Sequence, residues 1–459
     1  MDPRTRTLLE APIVPTILRL ALPNVAVMVV QAAIGLIETW FIAKLGTDAL
    51  AGMALVFPLL MVIQMISAGA MGGGILSSVA RALGSNRRAD ANTLVWHAVA
   101  IAVVLGLATA AAAFMGGPKL YAVMGGRDGS LAAALTYSNL VFAGAIPLWL
   151  YNSLAAVIRG TGNMAVPATV SVLGAIVLIP VSPMLIFGLG PLPRLGIAGG
   201  ATAVVAFYVV GTIVFAVYLW SGRGVLKPAP RPPRLAWAPT REILRVGAVS
   251  SLVSVTTNVS IATATGLTGA FGPAAVAGYG TGARLEYLLV PLMFGLGTPL
   301  AALTGTAIGA GQRARAMKVA WTGALLASVI TETIGLAATL APGAWMSLFG
   351  ADATMNAVGA HYLHVVGPFY GFFGLGLALY FASQGAGRLG WPLIAALLRV
   401  AIATGGGYVA VHAAGLTGLY LALGIALAAF GLVTAIAIAS GAWFARSPLP
   451  APARVPQAP

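Results

Sequence analysis

Long apolar runs constrain the fold of this chain more than any other feature. Runs of about 20–28 residues recur along the 459 residues, and each is long enough to cross ~30 Å of hydrocarbon as an α-helix. The strands of a membrane barrel would show alternating segments of ~10 residues instead, and none is present. Only 8% of the residues are charged, against roughly 25% in a soluble domain. The sequence therefore predicts an all-α integral membrane protein.

We predict twelve transmembrane helices. They lie at about 14–42, 50–80, 92–115, 131–158, 163–189, 195–220, 243–269, 274–304, 316–340, 355–383, 389–412 and 416–445. The longest loop, 221–242, is rich in Pro and Arg, and we interpret it as an extended linker. The predicted domains are an N-lobe (1–220), this linker (221–242), a C-lobe (243–445) and a tail (446–459).

Positive charge falls mainly on one side of this predicted topology. If the N-terminus is inside, the outer loops hold Lys44, Lys119, Arg127 and Arg194, and nearly all other Lys and Arg residues lie inside. Such asymmetry follows the positive-inside rule and predicts cytoplasmic termini in a cell inner membrane. The net charge of +15 is therefore explained by topology and anionic lipid headgroups, and no nucleic-acid partner is expected.

The two halves of the chain repeat. "ILRLALPN" at 17–24 aligns with "ILRVGAVS" at 243–250, and "RGTGNMAVP" at 159–167 aligns with "QGAGRLGWP" at 384–392. Six predicted helices separate the copies, an even number, so the copies share one orientation. We therefore expect two six-helix bundles related by a pseudo-two-fold axis along the membrane normal, an arrangement typical of transporters with a substrate site between the halves.

Several motifs, in order along the chain, resemble the multidrug and toxic compound extrusion (MATE) family of cation-coupled antiporters. They are "LPN" with "ETWFIAKLGTDALAG" in span 1, "ARALGSNRRADA" after span 2, "RGTGNMAVP" between spans 4 and 5, "LIFGLGPLPRLGIAGGATA" across spans 5 and 6, and "GYGTGARLEYLLVPLMFGLG" with "GAGQRARA" in and after span 8. The resemblance covers about residues 15–440. "GARLE" is most similar to the DinF-like branch. The resemblance implies an exporter driven by inward H⁺ or Na⁺.

The resemblance also implies a coupling site in the N-lobe. The acidic residue of span 1 in that family corresponds to Glu38, and its usual polar partners correspond to Leu178, Ser182 and Val204. Hard cations prefer about six oxygen ligands, whereas a proton needs one titrating group. We therefore expect H⁺ rather than Na⁺ coupling at Glu38 and Ser182. The alternative is an interfacial Glu38, since it lies roughly 6 Å from the outer end of its span.

Charged and imidazole groups in the C-lobe are further candidates. Arg284 and Glu286 lie inside span 8, and residues two apart on a helix do not face each other, so we expect them to have different neighbours. Each is interpreted as a cavity or gating charge, with a structural ion pair as the alternative. His361 and His364 share a helix face in span 10 and are candidates for a proton path, with an interfacial position as the alternative.

Polar and aromatic side chains within the spans are candidates for lining a substrate cavity. Aromatic rings stack on flat cations, although buried amides also bridge helices. The candidates are Gln31, Gln64, Trp149, Asn152, Asn258, Phe373 and Gln384. His97, Glu332, Arg399 and His412 are interpreted as structural or interfacial.

The function predicted from the sequence is a secondary-active antiporter. It would export amphipathic cationic compounds in exchange for H⁺ by alternating access, as a monomer whose partners are substrates, H⁺ or Na⁺, and lipids. A lipid-linked saccharide flippase is the near alternative, although only Arg284 and Arg399 supply positive charge within spans. An integral-membrane enzyme is the alternative from another class. The chain has no cysteine and no cluster of catalytic or metal-binding side chains, so we expect no cofactor, metal site or catalytic residue.

Overall fold

The computed structural model describes residues 1–190, 193–350 and 352–444, and it is built of α-helices joined by short connections. The helices are α1 (Pro3–Glu10), α2 (Ile13–Ala43), α3 (Thr47–Gln64), α4 (Gly72–Gly84), α5 (Arg88–Val123), α6 (Asp128–Ala143), α7 (Ala145–Gly160), α8 (Ala165–Phe187), α9 (Ile197–Trp220), α10 (Trp237–Gly269), α11 (Pro273–Gly309), α12 (Arg313–Leu340), α13 (Pro342–Met346), α14 (Ala353–Val366), α15 (Tyr370–Ala386), α16 (Gly390–Ala401) and α17 (Gly407–Ala439). Single π or 3₁₀ turns join α3 to α4, α14 to α15 and α16 to α17. No strand occurs in these ranges, so the all-α prediction is confirmed.

The described residues contain twelve membrane-spanning segments. Ten continuous helical segments are long and apolar enough to cross a bilayer, and α6 with α7 forms one further span bent by 49°. The segment Gly390–Ala439 makes two spans, because its 50 residues as one straight helix would be about 75 Å long, far more than the hydrocarbon thickness of ~30 Å. It breaks at Ala414 and Gly415, where Gly415 has φ 60°. The predicted number of spans is therefore confirmed.

The helix that follows the predicted linker begins six residues earlier than predicted, at Trp237 instead of residue 243. α10 begins at Trp237, so the last part of the 221–242 segment is helical. Two contacts fix this first turn: the Thr240 hydroxyl lies 2.7 Å from His97 Nδ1, and Glu242 pairs with Arg81 at 2.8 Å. Apolar periodicity did not reveal the helix start because these anchoring contacts are polar. The predicted tail, 446–459, lies outside the described residues.

Backbone geometry follows the sequence repeat. Gly46 (φ 113°) precedes α3, and Gly272 (φ 97°) precedes α11 at the equivalent position of the second half. Gly162 (φ 79°) and Gly387 (φ 69°) similarly follow α7 and α15. Glycine suits these left-handed conformations because it has no Cβ. The two halves thus place the same turns at equivalent positions, as expected for two related bundles.

The halves approach each other most closely where α4 packs against α11. A Cβ atom on Gly84 would collide with the carbonyl oxygen of Thr306, and one on Gly309 would collide with that of Arg81. Gly84 and Gly309 occupy equivalent repeat positions, as do Arg81 and Thr306. The same backbone contact is therefore made twice about the pseudo-two-fold axis. We call this pair of contacts the glycine contact.

Arginines gather around the glycine contact, and we call this end of the molecule the basic end. Arg81 donates from Nη1 to the Gly385 carbonyl oxygen at 2.6 Å and from Nη2 to Glu242 at 2.8 Å. Arg245 donates to the Gly387 carbonyl oxygen at 3.3 Å. Since Arg81 belongs to the first half and its partners lie in the second, these bonds join the halves at the basic end.

The short helix α1, assigned to the N-lobe from sequence, contacts both halves. Arg315 of α12 donates to the carbonyl oxygens of Leu8 at 2.9 Å and Ala11 at 2.7 Å. Leu8 is buried in a cluster of the second half that includes Leu300, and its side chain also lies against Gly162 of the first half. α1 therefore lies across the basic end as a strap between the two bundles.

Candidate functional site

Glu38 lies in the last two turns of α2 and faces the first bundle. Its side chain is 8% exposed, and Oε1 has no hydrogen-bond partner among the described residues. The phenol groups of Tyr137 on α6 and Tyr208 on α9 lie within electrostatic range of the carboxylate. The interfacial alternative considered from sequence placed this side chain near the headgroups, whereas the fold encloses it between three helices.

A polar network lies at the π turn after α3. The Tyr208 hydroxyl donates to Gln64 Oε1 across a long 3.5 Å contact. Asn152 Nδ2 donates to the same oxygen at 3.3 Å and to Ser67 Oγ at 2.8 Å. The structure thus joins Gln64 and Asn152, two residues singled out from sequence, to Tyr208, and Tyr208 lies within electrostatic range of Glu38. We call this set of residues, with Tyr137, the N-site.

Ser182 is buried but is not joined to the N-site by any contact in the described structure. Its side chain is 1% exposed, and its Oγ has no hydrogen-bond partner. Leu178, one turn earlier on α8, is also buried. Asn24 on α2 likewise buries its Nδ2 without a partner. The polar groups that the structure places within electrostatic range of Glu38 are the phenols of Tyr137 and Tyr208.

Glu38 lacks the neighbours of a metal site among the described residues. Na⁺-like and larger cations need about six oxygen ligands at short range. No group of three or more His, Asp or Glu residues occurs in the part of the chain that the structure describes. Burial in a medium of low dielectric disfavours the charged form of any lone carboxylate, which is the condition under which it takes up a proton.

The second bundle contains a different charged centre, the C-site, made of Glu286, Arg399 and Tyr362. Arg399 Nη2 lies 3.2 Å from Glu286 Oε1, and the Tyr362 hydroxyl donates to Glu286 Oε2 at 3.1 Å. The guanidinium lies 5.5 Å from the ring centroid of Phe373 and 5.9 Å from that of Phe430. Arg399 was interpreted as structural from sequence, and it is here the partner that neutralises Glu286.

Arg284 and Glu286 have different neighbours, as expected from their spacing on the helix. Arg284 is exposed and lies over the Phe349 ring at 5.5 Å. His361 Nε2 lies 2.9 Å from Thr417 Oγ1, whereas His364 is exposed. The two histidines share a helix but no common partner, so the structure shows no continuous polar path between them.

Three of the proposed cavity residues are engaged in helix packing. Trp149 is 4% exposed, and its Nε1 donates to Thr109 Oγ1 at 3.0 Å. Phe373 lies beneath the Arg399 guanidinium. Gln384 donates from Nε2 to Ser250 Oγ at 2.9 Å and so links α15 to α10. Each of these side chains therefore takes part in packing between helices. For Gln384 this is the bridging role that the sequence analysis gave as the alternative for buried amides.

A cleft between the halves lies beside the N-site. It has a volume of about 370 Å³ and is lined by Val62, Met65 and Ile66 of the first half and by Ser254 and Asn258 of the second, among others. Asn258 is exposed there and donates to the carbonyl oxygen of Ser254 at 3.0 Å. Gln31 of α2 is also exposed. The cleft wall is mainly apolar, with isolated amide and hydroxyl groups.

Sequence reasoning missed the tyrosines of the N-site. Tyr137 is buried and Tyr208 is partly buried, and both lie in helices that belong to predicted spans. From the sequence, each is one aromatic residue in an apolar run, with nothing in its own helix to distinguish it. A tyrosine hydroxyl within a span needs a polar partner, and that requirement is the signal that could have drawn attention to them.

Comparison with known proteins agrees with this architecture. The family model MatE matches residues 23–184 and 250–409. A "Probable multidrug resistance protein NorM" of Deinococcus radiodurans is 30% identical over 470 residues, covering 93% of this chain and 97% of that protein. A "FAD transporter" of Shewanella oneidensis is 28% identical over 379 residues, covering 82% of each chain.

A solved structure has the same fold. The structure described as "Outward-facing conformation of a multidrug resistance MATE family transporter of the MOP superfamily" aligns with a TM-score of 0.85 and 23% identity, covering 96% of this chain and 99% of that one. At this level of identity the match concerns the fold alone, and it extends over both bundles.

Proposed function

Because the chain belongs to the MatE family of multidrug efflux transporters, we propose that it exports amphipathic cationic organic compounds in exchange for H⁺. Glu38 carries this proposal. It is the one carboxylate in the described chain that is buried, and one of its oxygens has no partner. The phenols of Tyr137 and Tyr208 lie within electrostatic range of it, and two phenols do not make the oxygen cage that a hard cation requires.

We propose further that the basic end faces the cytoplasm of an inner membrane, with both termini on that side. The concentration of arginine at this end supports that orientation through the positive-inside rule. The glycine contact closes the basic end, so the conformation described here corresponds to a state that is closed to the cytoplasm. Protonation of Glu38 from outside would favour one conformation of the first bundle, and the proton gradient would then shift the population of states.

The cleft between the halves suits a small amphipathic substrate. Its volume of about 370 Å³ lies at the lower part of the range for ligand pockets. Apolar side chains such as Val62 and Ile66 would cover a hydrophobic ring system, while Asn258 supplies a polar atom. Gln64 of the N-site lies between Val62 and Met65 in sequence, and both of these residues line the cleft.

The test is transport by the purified full-length chain in proteoliposomes. A fluorescent cationic dye is the substrate, and a pH gradient or a Na⁺ gradient is imposed in turn. We expect dye movement driven by the pH gradient in Na⁺-free buffer. We expect Glu38→Gln to retain dye binding and to lose gradient-driven transport, because glutamine keeps the shape of glutamate but cannot exchange a proton.

Glu332→Gln is the matched control. Glu332 is also a carboxylate within a span, but it lies in the second bundle and accepts a hydrogen bond from the Gly371 amide at 2.6 Å, which glutamine can also accept. We expect transport by this variant to stay near that of the wild type. Strict dependence on Na⁺, or undiminished transport by Glu38→Gln, would show that Glu38 does not couple transport to H⁺.

A second candidate substrate follows from one relative. The Shewanella oneidensis protein that aligns with most of this chain is named an FAD transporter. We therefore propose FAD as the alternative substrate to be tested in the same vesicles, loaded with FAD and followed by flavin fluorescence outside. Gradient-dependent release of FAD, with no movement of cationic dyes, would assign the chain to dinucleotide export.

A further inference from the structure

A second cavity lies at the basic end, between the two bundles. Its volume is about 640 Å³. Arg81 of the first half lines it, together with Glu242 and Arg245 of α10 and Arg313 of α12. Arg388, Trp443 and Phe444 complete the wall. We call this space the basic cavity.

Positive charge is in excess in the basic cavity. Four guanidinium groups line it, and Glu242 is the one carboxylate among its lining residues. Glu242 is held by Arg81 at 2.8 Å. Arg245 and Arg388 lie within electrostatic range of Arg81, so these three like charges repel one another. Arg245 and Arg313 have no carboxylate partner among the described residues, and an anion in the cavity would be attracted by these two groups.

Topology alone does not account for this arrangement. The positive-inside rule places arginines in loops at the headgroup level, where they spread over the surface. Arg81 instead has a side chain that is only 13% exposed, although it lies in the last turn of α4. Trp443 is 4% exposed in the same wall, and Arg313 lies 5.0 Å from the ring of Phe444. Guanidinium and aromatic groups therefore converge on one cavity.

We propose that the basic cavity binds a phosphate-bearing anion. The planar guanidinium group presents paired N–H donors that match two oxygens of a phosphate group, and it is only weakly hydrated. An anionic phospholipid headgroup and a free phosphate share this chemistry. The cavity size admits a phosphate together with a glycerol-sized substituent, and the adjacent aromatic side chains suit the apolar part of a lipid.

Anion binding also stabilises the closed basic end. Residues from both bundles form the cavity, and they converge only when the glycine contact is made. A ligand that binds one conformation better than another shifts the population toward that conformation. The binding claim stands independently of the proposed transport function, whereas this conformational effect rests on alternating access between the bundles.

The binding test uses the full-length protein in a neutral detergent. Thermal unfolding is followed by tryptophan fluorescence during titration with short-chain phosphatidylglycerol, with inorganic phosphate and with short-chain phosphatidylcholine. We expect saturable stabilisation by phosphatidylglycerol and none by phosphatidylcholine. Stabilisation by inorganic phosphate as well would show that the phosphate itself is recognised, and its absence would assign the site to a lipid headgroup.

Arg245→Gln combined with Arg313→Gln is the informative variant. Both side chains are exposed in the cavity wall, so the fold is expected to survive their neutralisation. We expect the apparent Kd to rise at least tenfold, and the corresponding double lysine variant to recover part of the loss. Arg88→Gln, an exposed arginine on the same end but outside the cavity, is the control and should bind as the wild type does.

Two results would overturn the proposal. One is the absence of saturable stabilisation by both anionic probes in the wild type. The other is an equal Kd in the wild type and in the double glutamine variant, which would place the bound anion elsewhere. For the conformational effect, spin labels at Ala89→Cys and Ala314→Cys, in a chain that has no native cysteine, should show a larger short-distance population with phosphatidylglycerol. An unchanged distance distribution would refute that effect while leaving the binding result to stand by itself.

Discussion

The glycine contact gives the most direct prediction about conformation. We expect Gly84→Ala combined with Gly309→Ala to open the basic end. Each added methyl group would collide with a backbone carbonyl oxygen of the opposite bundle, Thr306 in one case and Arg81 in the other. A carbonyl within a helix cannot turn aside without losing its own hydrogen bond, so the helices α4 and α11 must separate.

The size of the shift in the closed–open equilibrium follows from two steric collisions, each of which occurs only in the closed conformation. Inserting a methyl group into a packed region costs roughly 1–3 kcal/mol, so two insertions cost about 2–6 kcal/mol. The cost falls on the closed conformation, because the two glycines do not touch the opposite bundle once the basic end is open. At about 1.4 kcal/mol per factor of ten, the ratio of closed to open molecules should fall by about 30-fold to about 10⁴-fold.

The assay is distance measurement between spin labels at Ala89→Cys and Ala314→Cys, which occupy equivalent repeat positions on the two bundles. We expect a longer main distance in the double alanine variant. Gly280→Ala is the control, since a Cβ at that position of α11 meets no atom within 4 Å. Identical distance distributions in the wild type and the double alanine variant, with both proteins monodisperse, would refute this account of closure.

Two further predictions concern polar contacts that fix helices. Arg399→Gln leaves Glu286 without its ion-pair partner and should lower the free energy of unfolding by about 3–5 kcal/mol. The double variant with Glu286→Leu should recover much of that loss. Unfolding in detergent measures both variants, and an Arg399→Gln protein as stable as the wild type would contradict this prediction. Arg315→Ala removes the donors to the Leu8 and Ala11 carbonyl oxygens, so α1 should detach from the second bundle. Hydrogen exchange measured by mass spectrometry should then show faster exchange of the α1 amides. Unchanged protection of α1 would show that apolar packing alone holds this helix in place.

Most of the architecture could be predicted from sequence because the bilayer imposes it. An apolar run of bilayer length has to form a helix, so the number of spans followed from composition and length. The bend between α6 and α7 and the early start of α10 could not be predicted in this way. The first depends on packing around Gly144, and the second depends on polar contacts of Thr240 and Glu242 with the first bundle.

The candidate sites were less predictable, because they depend on which side chains meet across different helices. Glu38 was conspicuous as an acid in an apolar run, but the tyrosines that enclose it come from α6 and α9. Glu286 was considered as a possible gating charge, and its partner Arg399 lies on α16, far away in sequence. Spacing along one helix indicates a shared face, but it does not give the partner on a neighbouring helix.

The two bundles carry their acidic residues Glu38 and Glu286 at different repeat positions. The repeat position of Glu38 in the second half is Ala264, which is fully buried. The repeat positions of Glu286 and Arg399 in the first half are Leu60 and Gly174. Neither charged centre is therefore a requirement of the shared fold, since each bundle forms without the centre that the other one carries.

The two centres also differ in their response to a proton. Protonation of Glu286 would give up its pairing with Arg399 at 3.2 Å and would leave that guanidinium buried and unpaired. Protonation of Glu38 breaks no ion pair, and it gives the carboxyl group a donor where one of its oxygens has no partner. Under the proposed H⁺ coupling, a proton gradient would therefore act on Glu38 of the first bundle, while the ion pair of Glu286 with Arg399 in the second bundle would stay intact.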